Sequence, residues 1–157
     1  MEIERKYLIE AEEMPKNCLS YPVLQIEQAY LSVDPVVRVR RQDNSFYLTY
    51  KSRGKMAREE YNLPLNAQSY AHLLKKADGL VLTKKRYLIP AEDAGIPDSS
   101  LTVELDVFED SYQGLILAEV EFESEEEANQ FIPPSWFGRE VTFTGEYQNS
   151  VLAMKGL

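Results

Sequence analysis

Met1-Glu2-Ile3-Glu4-Arg5-Lys6 opens the chain with charge on almost every residue and a two-residue alternation beneath it. In an extended strand, successive side chains point to opposite faces. Glu2, Glu4 and Lys6 then stand in one row, with Ile3, Arg5 and Tyr7 behind them. Two carboxylates two residues apart can share a hard divalent cation, which takes oxygen ligands. An ammonium in the same row can reach an anion held by that cation. A single stretch of this kind is ordinarily the solvated edge of a sheet. What gives this one weight is that the pattern recurs.

Val37-Arg38-Val39-Arg40 alternates next, arginines on one face and valines on the other. Phe46 to Lys51 follows after the Asp43-Asn44-Ser45 turn, with Lys51 on the face of Tyr47 and Thr49. Arg58 to Leu63 reads as a further strand, with Arg58, Glu60 and Asn62 together. The period then lengthens. Asn66 is a good N-cap, Ala67, Tyr70, Ala71, Leu74 and Ala77 follow at helical spacing, and Gly79 is the expected end of that helix. Strands return at Val81–Ile89, where Lys84 and Arg86 share a face, and at Leu101–Phe108, where Glu104 and Asp106 do. Leu115 to Glu123 sets Glu119 and Glu121 opposite Val120 and Phe122. Ser124-Glu125-Glu126-Glu127 starts a helix that Pro133-Pro134 stops, and Asn149 to Lys155 suits a short final helix. Trp136 and Phe137 read as packing residues.

Composition bounds the function. At 157 residues the chain is expected to be one domain, 1–157, with a sizeable core. No apolar run approaches the ~18 residues a membrane helix needs. The charged N-terminus gives no sign of a leader, and the single cysteine, Cys18, excludes an internal disulfide. Both fit an expected cytoplasmic location. One Cys and one His, His72, are too few for a Cys/His metal site. A formal charge of −9 argues against nucleic acid and anionic membranes as partners, though not against a small anion met by a local cluster of cations.

Roughly eight strands thus carry charge on one face and apolar residues on the other. The charge sorts by strand: Glu2-Glu4, Glu104-Asp106 and Glu119-Glu121 are acidic pairs, Arg38-Arg40 and Lys84-Arg86 are basic ones. Converging acids call for cations and converging bases for an anion. A metal-bound chain of phosphates satisfies both, inside a barrel whose charged face points inward. A conventional sheet with its charge in water satisfies the same pattern.

The chain resembles CYTH-domain proteins of the triphosphate tunnel metalloenzyme family. The Glu-x-Glu-x-Lys signature is present as Glu2, Glu4 and Lys6. Similarity continues through Gln28-Ala29-Tyr30-Leu31, Arg58-Glu59-Glu60-Tyr61, Thr83-Lys84-Lys85-Arg86-Tyr87, Glu104 to Phe108, Glu119 to Phe122 and Tyr147-Gln148-Asn149. The resemblance implies an α+β, mainly β fold: a closed eight-stranded antiparallel barrel with a charged interior and a few flanking helices. It implies Mg²⁺ or Mn²⁺ on Glu2, Glu4, Asp106, Glu119 and Glu121. It implies phosphate oxygens on Lys6, Arg38, Arg40, Lys51, Lys84 and Arg86, with Lys6 also orienting or deprotonating the attacking water. Glu60 and Glu104 are weaker candidates, and Asn62 stands where a second acid is expected. The implied activity is hydrolysis of a triphosphate, inorganic tripolyphosphate first. A class IV-type adenylate cyclase, a thiamine triphosphatase and a non-catalytic polyphosphate-binding module are the alternatives. Whether the protein is a homodimer stays open.

Overall fold

The computed structural model describes residues 1–155. Nine strands form one antiparallel sheet: β1 (Glu2–Leu8), β2 (Val23–Val33), β3 (Val36–Gln42), β4 (Ser45–Lys51), β5 (Ala57–Arg58), β6 (Glu60–Leu65), β7 (Asp78–Pro90), β8 (Thr102–Phe108) and β9 (Ile116–Phe122). Their spatial order is β5-β1-β9-β8-β7-β2-β3-β4-β6. The two ends of that order are consecutive in the chain, with Glu59 alone between them. The sheet therefore curls into a nearly closed barrel. The eight strands expected become nine because the stretch from Arg58 to Leu63 breaks at Glu59, whose backbone pairs with Ser52 at 3.0 Å. Its first half joins β1 and its second half joins β4. The seam beside β5 is short: Glu2↔Arg58 and Ile3↔Ala57, extended by one bond from the Glu4 amide to the Met56 carbonyl at 2.9 Å.

The apolar faces point outward and most of them are covered, Tyr61 and Leu63 of β6 staying exposed. Ile3, Val103, Leu105, Val120 and Phe122 pack beneath Trp136, Phe137 and Ala128 of α2 (Glu125–Gln130). Ala29 and Val39 pack against Tyr70 of α1 (Ala67–Leu74). The packing role read for Trp136 and Phe137 holds, as does the surface position of His72. Among the described residues no helix is long and apolar enough to cross a membrane.

The helix expected to end at Gly79 ends at Leu74, and Gly79 lies in β7. This glycine serves a different need. Its φ is +70°, and a Cβ there would come 2.3 Å from the Ala153 carbonyl oxygen. It lets α3 (Asn149–Lys155) lie against β7. Leu152 and Ala153 of α3 pack with Val36, Leu82, Phe108 and Leu117, which share the inward faces of their strands with the charged residues. One end of the barrel interior is thereby filled with apolar side chains, and the charge is confined to the rest.

Candidate active site

The inward face encloses a cavity of about 400 Å³. Of the side chains singled out from the sequence, all line it except Asp106. The strand pleat brings them there, because Glu2, Glu4 and Lys6 share one face of β1, and β9 sets Glu121 opposite Glu4 and Glu119 opposite Lys6. Cross-strand register also joins Arg86 to Asp106, Glu104 to Glu119 and Lys51 to Glu60.

Acids and bases meet within the wall. Lys51 Nζ lies 3.0 Å from Glu2 Oε1 and 3.3 Å from Glu60 Oε2. Lys6 Nζ lies 3.4 Å from Glu119 Oε1 and donates to the Tyr147 carbonyl at 3.2 Å. Asp106 is fully buried behind the lining. Arg86 grips it with two bonds, Nε to Oδ1 at 2.7 Å and Nη2 to Oδ2 at 2.8 Å. Lys84 Nζ stands 2.8 Å from the same Oδ2. This fork is the geometry in which a buried arginine and carboxylate bind best. Asp106 thus stands behind two cations that face the cavity, away from the cavity itself.

The remaining charges are poorly balanced in the ligand-free protein. Burial, Glu119 and Glu2 push the Glu4 carboxyl up to about 8. Partial burial, Glu2, Glu104 and Glu60 raise that of Glu121. On the opposite wall, burial, Arg38 and Arg86 pull Arg40 down to about 9. Burial also takes Lys84 down to about 7 against the pull of Asp106, with Arg86 and Arg40 adding to the fall. The buried Arg38 Nε has no hydrogen-bond partner among the described residues. One wall is short of cations and the other short of an anion. Lys6 differs from Lys84: burial works against its charge, but Glu119, Glu4 and Asp106 outweigh that and hold its pKa above the ordinary lysine value.

Gln28 lies buried behind the lining and Asn149 lies within it, and neither was a candidate from the sequence. Gln28 Oε1 accepts from Arg40 Nε at 2.8 Å, and Gln28 Nε2 donates to Asn149 Oδ1 at 2.7 Å. Asn62 accepts from the Thr49 hydroxyl at 2.6 Å and donates to Glu60 at 3.2 Å, so this position supports an acid instead of supplying one. Tyr30, Arg58 and Ser150 also line the cavity.

The sequence profile of the CYTH domain matches residues 1–150. The chain belongs to the CYTH domain family. An inorganic triphosphatase of Nitrosomonas europaea is 37% identical over 156 residues, 98% of this chain and 97% of that protein. An inorganic triphosphatase of Acetivibrio thermocellus is 31% identical over 156 residues, covering 96% and 92%. The crystal structure of an inorganic triphosphatase superposes with a TM-score of 0.69 at 34% identity, covering 98% of this chain and 95% of that one. This CYTH domain therefore shares both barrel and near-full-length sequence with triphosphatases, and its family implies a divalent metal.

No group of three or more His, Cys, Asp or Glu side chains among the described residues forms a ready cage. Mg²⁺ does not require one, because it commonly binds one or two carboxylates plus waters and substrate phosphates. The hard oxygens of Glu2, Glu4 and Glu121, two of them raised toward protonation, fit such a cation.

Glu4 also sets a pH dependence for the CYTH domain without ligand. Its folded pKa of about 8 lies above the unfolded 4.5. The folded state holds this proton more tightly, so the contribution is full below about 4.5 and is lost as pH rises through about 8. Thermal melts in a chelator are expected to show Tm falling from about pH 5 to about pH 8, and falling less in Glu4→Gln. Equal slopes would contradict the assignment.

Proposed function

We propose that the chain hydrolyses inorganic tripolyphosphate to diphosphate and phosphate in a reaction that requires Mg²⁺ or Mn²⁺. The observation that carries this reading is the lining of the cavity. Cations from β1, β3, β4 and β7 face one enclosed space, and among the lining residues only Val36, Tyr30 and Tyr47 offer appreciable apolar surface. An adenine or thiamine ring needs an apolar or aromatic slot. A naked phosphate chain needs only charge and hydrogen bonds. The two inorganic triphosphatases of similar sequence support the same choice over a cyclase or a thiamine triphosphatase. The acids Glu2, Glu4 and Glu121 favour catalysis over a passive polyphosphate binder, since binding alone needs mainly the cations.

Phosphoryl transfer depends on positioning and charge neutralisation more than on covalent chemistry. Arg38 and Arg40 would offer phosphate oxygens the N–H groups that face the cavity, Arg86 would offer the Nη1 edge left beside its fork on Asp106, and Lys51 and Lys84 would act as point charges. Glu2, Glu4 and Glu121 would hold the divalent cation, which neutralises charge on the phosphates and acidifies a bound water. Water adds to a terminal phosphorus, the bridging P–O bond breaks, diphosphate leaves, and the water proton passes to solvent. Lys6, kept as an ammonium, would donate to the attacking water or to the phosphate that receives it.

Phosphate release from tripolyphosphate, ATP and thiamine triphosphate, each with Mg²⁺, Mn²⁺ or chelator, tests the reading. Expected is fastest turnover of tripolyphosphate, one phosphate and one diphosphate per substrate, and none in chelator. Faster turnover of ATP, or a cyclic nucleotide product, would overturn it. The cations carry a sharper test. Arg38→Ala and Arg40→Ala are each expected to weaken tripolyphosphate binding by about 1.5–3 kcal/mol. Arg41→Ala is expected to do little, because Arg41 points outward and bonds the Asp43 carbonyl at 2.9 Å. Titration calorimetry of the three variants decides it, and a large loss in Arg41→Ala alone would place the phosphate on the wrong face.

A further inference from the structure

Asn149 begins α3, the helix that fills the apolar end of the barrel, yet its side chain belongs to the polar interior. The residue is buried. Its Oδ1 accepts two hydrogen bonds, from Lys84 Nζ at 2.8 Å and from Gln28 Nε2 at 2.7 Å. Gln28, which is fully buried, uses its own Oε1 to receive Arg40 Nε at 2.8 Å. One carboxamide therefore fixes two cations on different strands, Lys84 directly and Arg40 through Gln28. A guanidinium donates and never accepts, so Arg40 holds the Gln28 oxygen, the Gln28 Nε2 faces Asn149, and the oxygen of Asn149 must lie on that side. The Nδ2 donors are left at the other end of the amide. Among the described residues they make no hydrogen bond, on a side chain that lines the cavity.

We propose that Asn149 is a substrate-binding and positioning residue, which donates from Nδ2 to a phosphate oxygen while its Oδ1 holds Lys84 and the Gln28–Arg40 pair in register. The inference rests on the tripolyphosphate reading and deepens it. It makes α3 a part of the binding site as well as its apolar closure. A neutral amide suits this position, because a carboxylate would neutralise Lys84 and repel the phosphate, whereas a hydrophobe would leave Lys84 and Gln28 each one partner short.

Asn149→Asp separates binding from support. It keeps acceptor oxygens for Lys84 and Gln28, so Tm of the ligand-free protein is expected to hold or rise. It replaces the donor with an anion, so metal-free tripolyphosphate should bind about 10- to 100-fold more weakly by calorimetry, the range for a hydrogen bond to a charged group. Asn149→Ala should bind weakly too, and its loss should be less than additive with that of Arg40→Ala, because both act on one chain of contacts. Wild-type affinity in Asn149→Asp, or strict additivity in the double variant, would overturn the proposal. So would loss of the fold in both single variants, since Asn149 would then be a structural strut. A wild-type protein that neither binds nor hydrolyses tripolyphosphate would instead bring down the functional reading beneath it.

Discussion

Lys6→Ala is expected to lower kcat for tripolyphosphate by about 10²–10³-fold, the effect of removing one preorganised donor at a site of developing charge. Lys6 lines the cavity from the middle of β1, and its ammonium is steadied by Glu119 at 3.4 Å and the Tyr147 carbonyl at 3.2 Å. The carboxylates around it keep the proton on. Such a group contributes as a charged donor, and a contact strengthened in the transition state is read in kcat more than in affinity. Lys6→Arg keeps the charge and is expected to recover a substantial part of the rate. Single-turnover rates beside direct binding of tripolyphosphate decide the matter. A Lys6→Arg variant that binds as wild type yet turns over no faster than Lys6→Ala would make Lys6 the proton acceptor.

Asp106→Asn is expected to destabilise the ligand-free protein by about 3–5 kcal/mol, the cost of removing one partner from a buried ion pair. Asp106 is wholly buried and is the shared counter-ion of Lys84 and Arg86. Asparagine keeps the shape but leaves two cations facing each other across a neutral amide. For a chain of this length the loss corresponds to a fall in Tm of at least about 6 °C. Differential scanning calorimetry in a chelator measures it without interference from metal. If Asp106 were instead a direct metal ligand, Tm in chelator would change little, and the Mg²⁺ concentration giving half-maximal rate would rise steeply. The two roles therefore separate on opposite sides of one comparison.

Much of the barrel was legible because alternation in a strand is a local property. Glu2-Glu4-Lys6, Arg38-Arg40, Lys84-Arg86 and Glu119-Glu121 each announce a charged face within a few residues, and all of these line the cavity. What could not be read is which charge opposes which. That depends on register between strands far apart in sequence, such as Lys6 beside Glu119 and Arg86 beside Asp106. Asp106 alternates in step with the lining residues, so nothing local marks it as lying behind them. Gln28 and Asn149 carry no charge and sit in ordinary polar surroundings. A register shift in β2 between Gln28 and Tyr30 also disturbs the alternation there. The break at Glu59 has no glycine or proline to signal it, and Gly79 reads equally well as a helix end until α3 is seen against it.

The short seam at β5 has a consequence for how the wall and its contents depend on each other. Few backbone bonds hold β1 to β5, and the charged side chains that reinforce the junction are Glu2, Lys51, Arg58 and Glu60: Lys51 to Glu2 at 3.0 Å, Lys51 to Glu60 at 3.3 Å and Arg58 to Glu2 at 3.8 Å. These same groups face the cavity. The clasp of the vessel is thus made from the hands that receive its cargo. A ligand that bridges Lys51 and Glu2 draws the clasp tighter, and one that engages Lys51 alone slackens it. By thermodynamic reciprocity, whatever tightens the clasp also raises affinity for the bridging ligand by the same factor. Loading the barrel and shutting it are two descriptions of one equilibrium.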